Sequence, residues 1–202
     1  PVSTTVFFWV GYDSITLSIL MLSILFRSNS IIVFIFGIFL GLQHFELCFL
    51  SSLSLLILNS YNQLFSKKSF LSLKYSIFLL IGTLFGKIIL EYYFFSINLD
   101  INSGRIWSTF DAIKHLFYNS YFNFHNIIWF ALSAGWLIIL KYTFYKERNI
   151  FFIFILLGQL IILFIVDDQT RVYASLSFLI ILSQVFFNKD FLQQIKNYEI
   201  SL

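Results

Sequence analysis

Charge is what this sequence has least of. Asp, Glu, Lys and Arg make up 11% of the 202 residues, where a soluble domain carries about 25%. With 59% hydrophobic residues and a mean hydropathy of +0.86, an ordinary soluble domain is excluded and an integral membrane protein is implied. Proline occurs once, at Pro1, so nothing in the sequence interrupts its apolar runs by removing a backbone donor. Cysteine also occurs once, at Cys48 inside an apolar run, which excludes an intrachain disulfide and any Cys-Cys metal spacing. Walker loop, dinucleotide fingerprint, nucleophile elbow and His-Glu-x-x-His are all missing, so the common soluble chemistries have no support. The net charge of +3 is spread over the ends of the apolar runs, which argues against nucleic-acid binding.

What is present is a succession of long apolar runs bounded by polar clusters. Lipid offers the backbone no hydrogen-bond partners, so runs of this length are expected as helices. The alternating segments of an outer-membrane barrel are not seen. The expected fold is therefore all-α, a polytopic bundle of six or seven membrane segments over residues 1–187, followed by a polar cytoplasmic tail at 188–202. The 28 Phe are read as lipid-facing or core filler. The chain opens Pro1-Val2-Ser3 without Met, and reads as an excerpt of a larger domain whose N-terminal portion lies upstream.

Taken in order, Val6 to Phe26 is one candidate helix, or Ser14 to Phe26 with Asp13 at its mouth. Ile31 to Leu58 would be about 42 Å long as a helix, against a hydrocarbon core of about 30 Å. It is interrupted by Gln43-His44-Phe45-Glu46, so it is either one long kinked helix or two short ones meeting at the polar break. Tyr75 to Phe95 carries Gly82-x-x-x-Gly86, a close-packing pattern, then Lys87 and Glu91 four residues apart. Asn126 to Leu140, Ile150 to Val166 and Val172 to Phe187 complete the set.

Basic residues orient such a protein, because they gather on the cytoplasmic side. With the break facing outward, Arg27, Lys67, Lys68, Lys74, Lys141, Lys146, Arg148, Lys189 and Lys196 fall inside, and Arg105, Lys114 and Arg171 outside. Treating Ile31 to Leu58 as a single helix moves Arg27 alone to the other face. Both versions put residues 98–124 and 167–171 outside and the C-terminus in the cytoplasm.

The outer polar patches hold the candidate chemistry. Asp167-Asp168-Gln169-Thr170-Arg171 joins two carboxylates, able to accept a proton or a divalent metal, to a guanidinium suited to a phosphate. A plain hydrophilic turn is the alternative. Arg105 to Tyr118 places Ile106, Trp107, Phe110, Ile113 and Phe117 on one helical face opposite Asp111, Lys114 and His115, the pattern of a helix lying in the membrane interface. It either borders a lipid-substrate cleft or covers the bundle. Gln43, His44 and Glu46 sit where ionisable groups line cavities or pathways, against the reading of a satisfied polar kink. Lys87 and Glu91 read first as a mutually neutralising pair, and second as a hold on an anionic substrate. His125 is a weaker candidate.

This order of features resembles part of a GT-C-type glycosyltransferase, a multispan enzyme that takes sugars from polyprenyl-phosphate donors on the outer face. The resemblance is carried by Gly11-Tyr12-Asp13 opening a helix that ends at Arg27, a helix with Gly37 and Gly41 leading to the polar break, and a short return helix. A basic inner loop, a long outer loop with an amphipathic helix, and the outer Asp-Asp-x-Thr-Arg turn complete it. It implies displacement at a sugar anomeric carbon, with Asp13, Asp167 and Asp168 as candidate catalytic carboxylates. It also implies substrate binding by Arg171, Gln43, His44, Glu46, Arg105, Lys114 and His115. It implies no obligatory cofactor, although a divalent metal held by Asp167 or Asp168 would fit, as some members use one. The implied partners are membrane lipid and a polyprenyl-phosphate sugar donor, and the implied location is a bacterial plasma membrane. The resemblance places the main catalytic acid of the whole protein upstream of Pro1. Two rival readings stand beside it. One is a transporter or flippase whose path is lined by Lys87, Glu91 and the break; the other is a non-catalytic membrane subunit or an O-antigen-polymerase-like protein.

Overall fold

The computed structural model describes residues 12–65, 69–99, 114, 117–118, 135–145, 150–162, 169–183 and 193, without the side chains of 12, 13, 138, 142–145 and 169–171. Among the described residues every regular element is a helix: α1 Tyr12–Leu25, α2 Ser30–Leu64, α3 Leu73–Ser96, α4 Gly135–Tyr145, α5 Ile150–Ile162 and α6 Gln169–Ile181. Two of them, α2 and α3, are long and apolar enough to cross a membrane. Helix starts follow from side-chain caps. Asn29 Oδ1 accepts from the Ile31 and Ile32 amides at 3.1 and 3.3 Å, and Ser72 Oγ accepts from the Tyr75 amide at 3.1 Å. Each satisfies donors that the first turn leaves over. α3 ends at Ser96 with Ile97 as its cap, and Asn98 follows with a φ of 54°, a left-handed conformation that Asn tolerates. There the Leu99 amide bonds Phe94 O and the Asn98 amide bonds Phe95 O, both at 3.1 Å, which closes a Schellman cap.

α2 departs from a single straight rod. His44 has φ −148° and ψ 68°, outside the helical region, and the chain changes direction there. Gly37 meets Gly82, and Gly41 meets Gly86, so residues 30–43 run parallel to α3. Beyond the break, Phe45 lies beside Lys87 and Asn59 bonds Ser76, so residues 45–64 run back against α3. Of the two readings of Ile31 to Leu58, the structure selects two arms meeting at the polar break. Both arms pack on one helix.

The parallel contact is backbone on backbone. A Cβ added at Gly37 would stand 2.7 Å from Leu79 O and 2.9 Å from Gly82 Cα, and one at Gly86 would stand 3.0 Å from Gly41 Cα. Only glycine permits such an approach, which gains dispersion contact where lipid supplies no hydrophobic driving force between helices. The second arm uses polar links instead. Asn59 Nδ2 donates to Ser76 Oγ at 2.7 Å, and Ser69 Oγ donates to Asn59 Oδ1 at 2.5 Å. Such interhelical bonds contribute roughly 0.6–2 kcal/mol each.

The remaining helices alternate in direction around this unit. Ser23 Oγ and Tyr75 OH are 2.6 Å apart, and the Arg27 guanidinium lies 4.3 Å over the Phe70 ring, so α1 ends where α3 begins. Tyr61 stacks on Phe151 with centroids 4.1 Å apart, so α5 starts at that same end. α6 returns to it, with Ile180 packed among Leu58, Phe152, Leu156 and Ile139. α4 runs the same way as α6, because Trp136 stacks on Tyr173 while Ile139 joins the cluster around Leu58. A second, larger core joins Leu17, Leu20, Leu40, Leu47, Leu55, Leu79, Leu176 and Leu179 from α1, α2, α3 and α6.

Helix limits bear on three of the expectations. The described part of α6 opens at Gln169, so Arg171 is helical and not in a turn between helices. Gln and Arg are good helix formers, and nothing between Gln169 and Val172 breaks the helix. Asp13 is helical, as in the longer of the two readings of this helix, Val6 to Phe26, and not at its mouth. α4 extends to Tyr145, past the expected end at Leu140, since Lys141 and Tyr142 are compatible with helix. Asp167, Asp168, Arg105 and His115 lie outside the described residues, as does the rest of the expected interfacial helix except Lys114, Phe117 and Tyr118. Those three are helical and exposed.

Candidate functional site at the break end of the bundle

The polar break and Lys87 come together because α2 doubles back beside α3. The Lys87 ammonium stands 5.4 Å from the Phe45 ring centroid, within cation–π range, and 3.6 Å from Glu91 Oε1 on the next helical turn. The expected ion pair is therefore formed. It is also lopsided: the Lys87 side chain is 24% exposed and that of Glu91 58%. Around them Gln43, His44 and Phe45 are half-buried and Glu46 is exposed. On a regular helix Gln43, His44 and Glu46 would spread over different faces; the turn at His44 sets them together at one end.

Other candidates reach the same end by backbone position. Asp13 precedes Arg27 by fourteen residues on a helix that ends at the opposite rim, about 21 Å at 1.5 Å per residue. The opening of the described part of α6 holds Arg171, and because α6 ends beside Leu58 that opening lies toward the break. Asp13, Gln43, His44, Glu46, Lys87, Glu91 and Arg171 are thus all assigned to one end of the bundle. The opposite end carries Arg27 and Lys74, both exposed. Lys114, with only isolated neighbours described, has no assigned end.

Buried polar residues of the second arm were not singled out from the sequence. Ser51, Ser52, Asn59 and Asn62 are all buried on α2, and they recur at helical spacing, which was the available signal. Asn59 links to Ser69 and Ser76 as above, and Ser52 Oγ donates to Cys48 O at 2.7 Å. Gln159 and Tyr173 do similar work between α5 and α6, donating to Leu176 O at 3.3 Å and Leu156 O at 3.2 Å. Among the described residues no three His, Cys, Asp or Glu side chains gather as a metal site. The carboxylates proposed for a metal, Asp167 and Asp168, are outside them.

Compared with known proteins, the chain matches no family model, no curated protein and no solved structure with significance.

Proposed function

We propose that the chain is the membrane-embedded portion of a glycosyltransferase that moves a sugar from a polyprenyl-phosphate donor to an acceptor on the extracytoplasmic face of a bacterial plasma membrane. Seven helical passes cross the bilayer in this reading, the two arms of α2 counting separately. The break end faces outward and the C-terminus lies in the cytoplasm. Arg27 and Lys74 at the opposite end agree with that orientation, since basic residues favour the cytoplasmic side.

The observation that carries the reading is the helix break at His44 beside a half-buried ammonium. The first arm, 30–43, rises about 21 Å before the break, less than the roughly 30 Å of hydrocarbon. Non-helical backbone at that depth is tolerated where it lines a wet cavity or is covered by protein. A polar break that shares its end of the bundle with Lys87 and with the helix backbone at Asp13 and Arg171 suits a headgroup drawn in from the lipid. In this chemistry a carboxylate takes the proton of the acceptor hydroxyl, whose oxygen bonds to the anomeric carbon as the bond to the lipid phosphate breaks. Asp13, Asp167 and Asp168 are the candidates for that proton. Arg171 neutralises the departing phosphate, and a divalent ion at Asp167 or Asp168 would serve the same charge.

The test is transfer of labelled sugar from a polyprenyl-phosphate donor by the full-length protein in nanodiscs. Arg171→Ala is expected to lower transfer by a hundredfold or so, as loss of a preorganised charge partner does. Undiminished transfer in that variant removes the phosphate role, and no transfer from any such donor removes the reading.

A further inference from the structure

Lys87 and Glu91 are not placed as a closed structural pair would be. At 3.6 Å their separation exceeds the roughly 2.7–2.9 Å of a charge-assisted hydrogen bond, so the ammonium keeps donors to give. The half-buried member is the cation, and the exposed member is the anion. Lys87 is fixed at the break by the Phe45 ring, whereas Glu91 stands on the open face of α3. That face continues downward as Ile88 and Leu84, both exposed and apolar, at the three- and four-residue spacing of one helical stripe. An apolar track thus leads up to a carboxylate, with an ammonium just inside it.

We propose that Lys87 anchors the phosphate of a polyprenyl-type lipid whose chain lies along Leu84 and Ile88, and that Glu91 is the resident counter-ion which that phosphate displaces. This rests on the reading above and names the ligand chemistry of its site. Lys87 stands about 21 Å along α3 from Leu73, so a lipid phosphate meets the ammonium when the headgroup is drawn below the far interface to the level of the break. A phosphate monoester carries about −1.5 to −2 charges near neutral pH, more than the single charge of a carboxylate. It therefore competes well for the same ammonium, and Glu91, being exposed, swings outward at little cost. A neutral lipid with the same tail has nothing to exchange.

The two residues then have opposite signs of effect. Binding is measured by native mass spectrometry and by titration of protein in phosphatidylcholine nanodiscs with polyprenyl phosphate, polyprenol or inorganic phosphate. Lys87→Gln is expected to weaken polyprenyl phosphate by about tenfold or more, and Lys87→Arg to keep most of the affinity. Glu91→Gln is expected to tighten it several-fold. Polyprenol binds weakly and alike to all four proteins, and inorganic phosphate does not compete. Unchanged binding in Lys87→Gln overturns the anchor, and weakened binding in Glu91→Gln overturns the exchange. Equal competition by inorganic phosphate overturns the lipid part. Buried Cys48 reports folding of each variant, so lost binding in a folded Lys87→Gln is not a folding defect. Phosphate binding with these signs but no sugar transfer would remove the transferase and leave this inference standing. Transfer with Lys87-independent binding would do the reverse.

Discussion

The glycine contact between the first arm of α2 and α3 predicts a destabilisation whose sign runs against helix propensity. Replacing Gly by Ala inside a helix ordinarily gains about 0.5–1 kcal/mol. At Gly41 the new methyl would lie 3.1 Å from Gly86 Cα and 3.0 Å from the Thr83 carbonyl carbon, with the Thr83 oxygen closer still. Every one of these is backbone, so no side chain can swing aside and the two helices must separate. Overpacking of this kind costs about 1–3 kcal/mol; lodged between backbones it falls toward the top of that range, leaving a net loss of roughly 1–2 kcal/mol. Gly158 on α5 is the internal control, because a Cβ there meets nothing within 4 Å. Gly158→Ala should keep the propensity gain. The assay is built into the chain: Cys48 is the single cysteine and is buried, so a thiol-reactive fluorophore lights up as the detergent-solubilised protein unfolds on heating. At roughly 2–4 °C per kcal/mol for a chain of this size, Gly41→Ala should lower Tm by about 2–8 °C while Gly158→Ala raises it by a few degrees. A Gly41→Ala protein as stable as wild type, or more so, refutes the interlocked-backbone account.

Three further outcomes are expected. Ser23 Oγ also donates to Leu20 O at 2.7 Å, so Ser23→Ala alone strands the buried Tyr75 hydroxyl and should cost about 1 kcal/mol, while adding Tyr75→Phe should recover much of it, since removing both partners is milder than orphaning one; thermal unfolding of the four proteins reads the coupling. Asn59→Leu removes the link to both Ser69 and Ser76 and should lower Tm by several degrees, with sugar transfer per folded molecule unchanged if the link is structural. Single cysteines placed at Ser60 and Ser103 should react with impermeant reagent from opposite sides of intact cells or inverted vesicles; reaction of both from one side sinks the seven-pass arrangement.

Much of the architecture was readable because lipid-facing chemistry leaves a coarse trace. The apolar runs located the six helices seen among the described residues, and Lys87 with Glu91 announced a pair by spacing alone. The motif Gly82-x-x-x-Gly86 announced a close contact but not its partner. Nothing local in Gly37-x-x-x-Gly41 says whether it meets α3 running with it or against it; that is decided by the reversal at His44. The reversal itself was half legible: Gln43-His44-Phe45-Glu46 marked a discontinuity, while the choice between a kink and a return depends on φ and ψ of one residue. Arg171 reads from the sequence as a turn residue because charge marks membrane boundaries well, yet charge does not mark helix ends, and Gln-Thr-Arg is compatible with helix. The Ser and Asn residues of the second arm were passed over because each is unremarkable alone. Only their shared burial against α3 and its neighbours makes them a seam.

The partner of Gly37 is made 45 positions later, at Gly82. During synthesis, then, the first arm enters the bilayer before the surface it fits exists, and its exposed backbone stripe must wait through the return arm and the basic connection. Anything that delays α3 leaves that stripe open to other small-residue helices nearby. Assembly of this protein is accordingly most exposed to error in the interval before its third helix arrives.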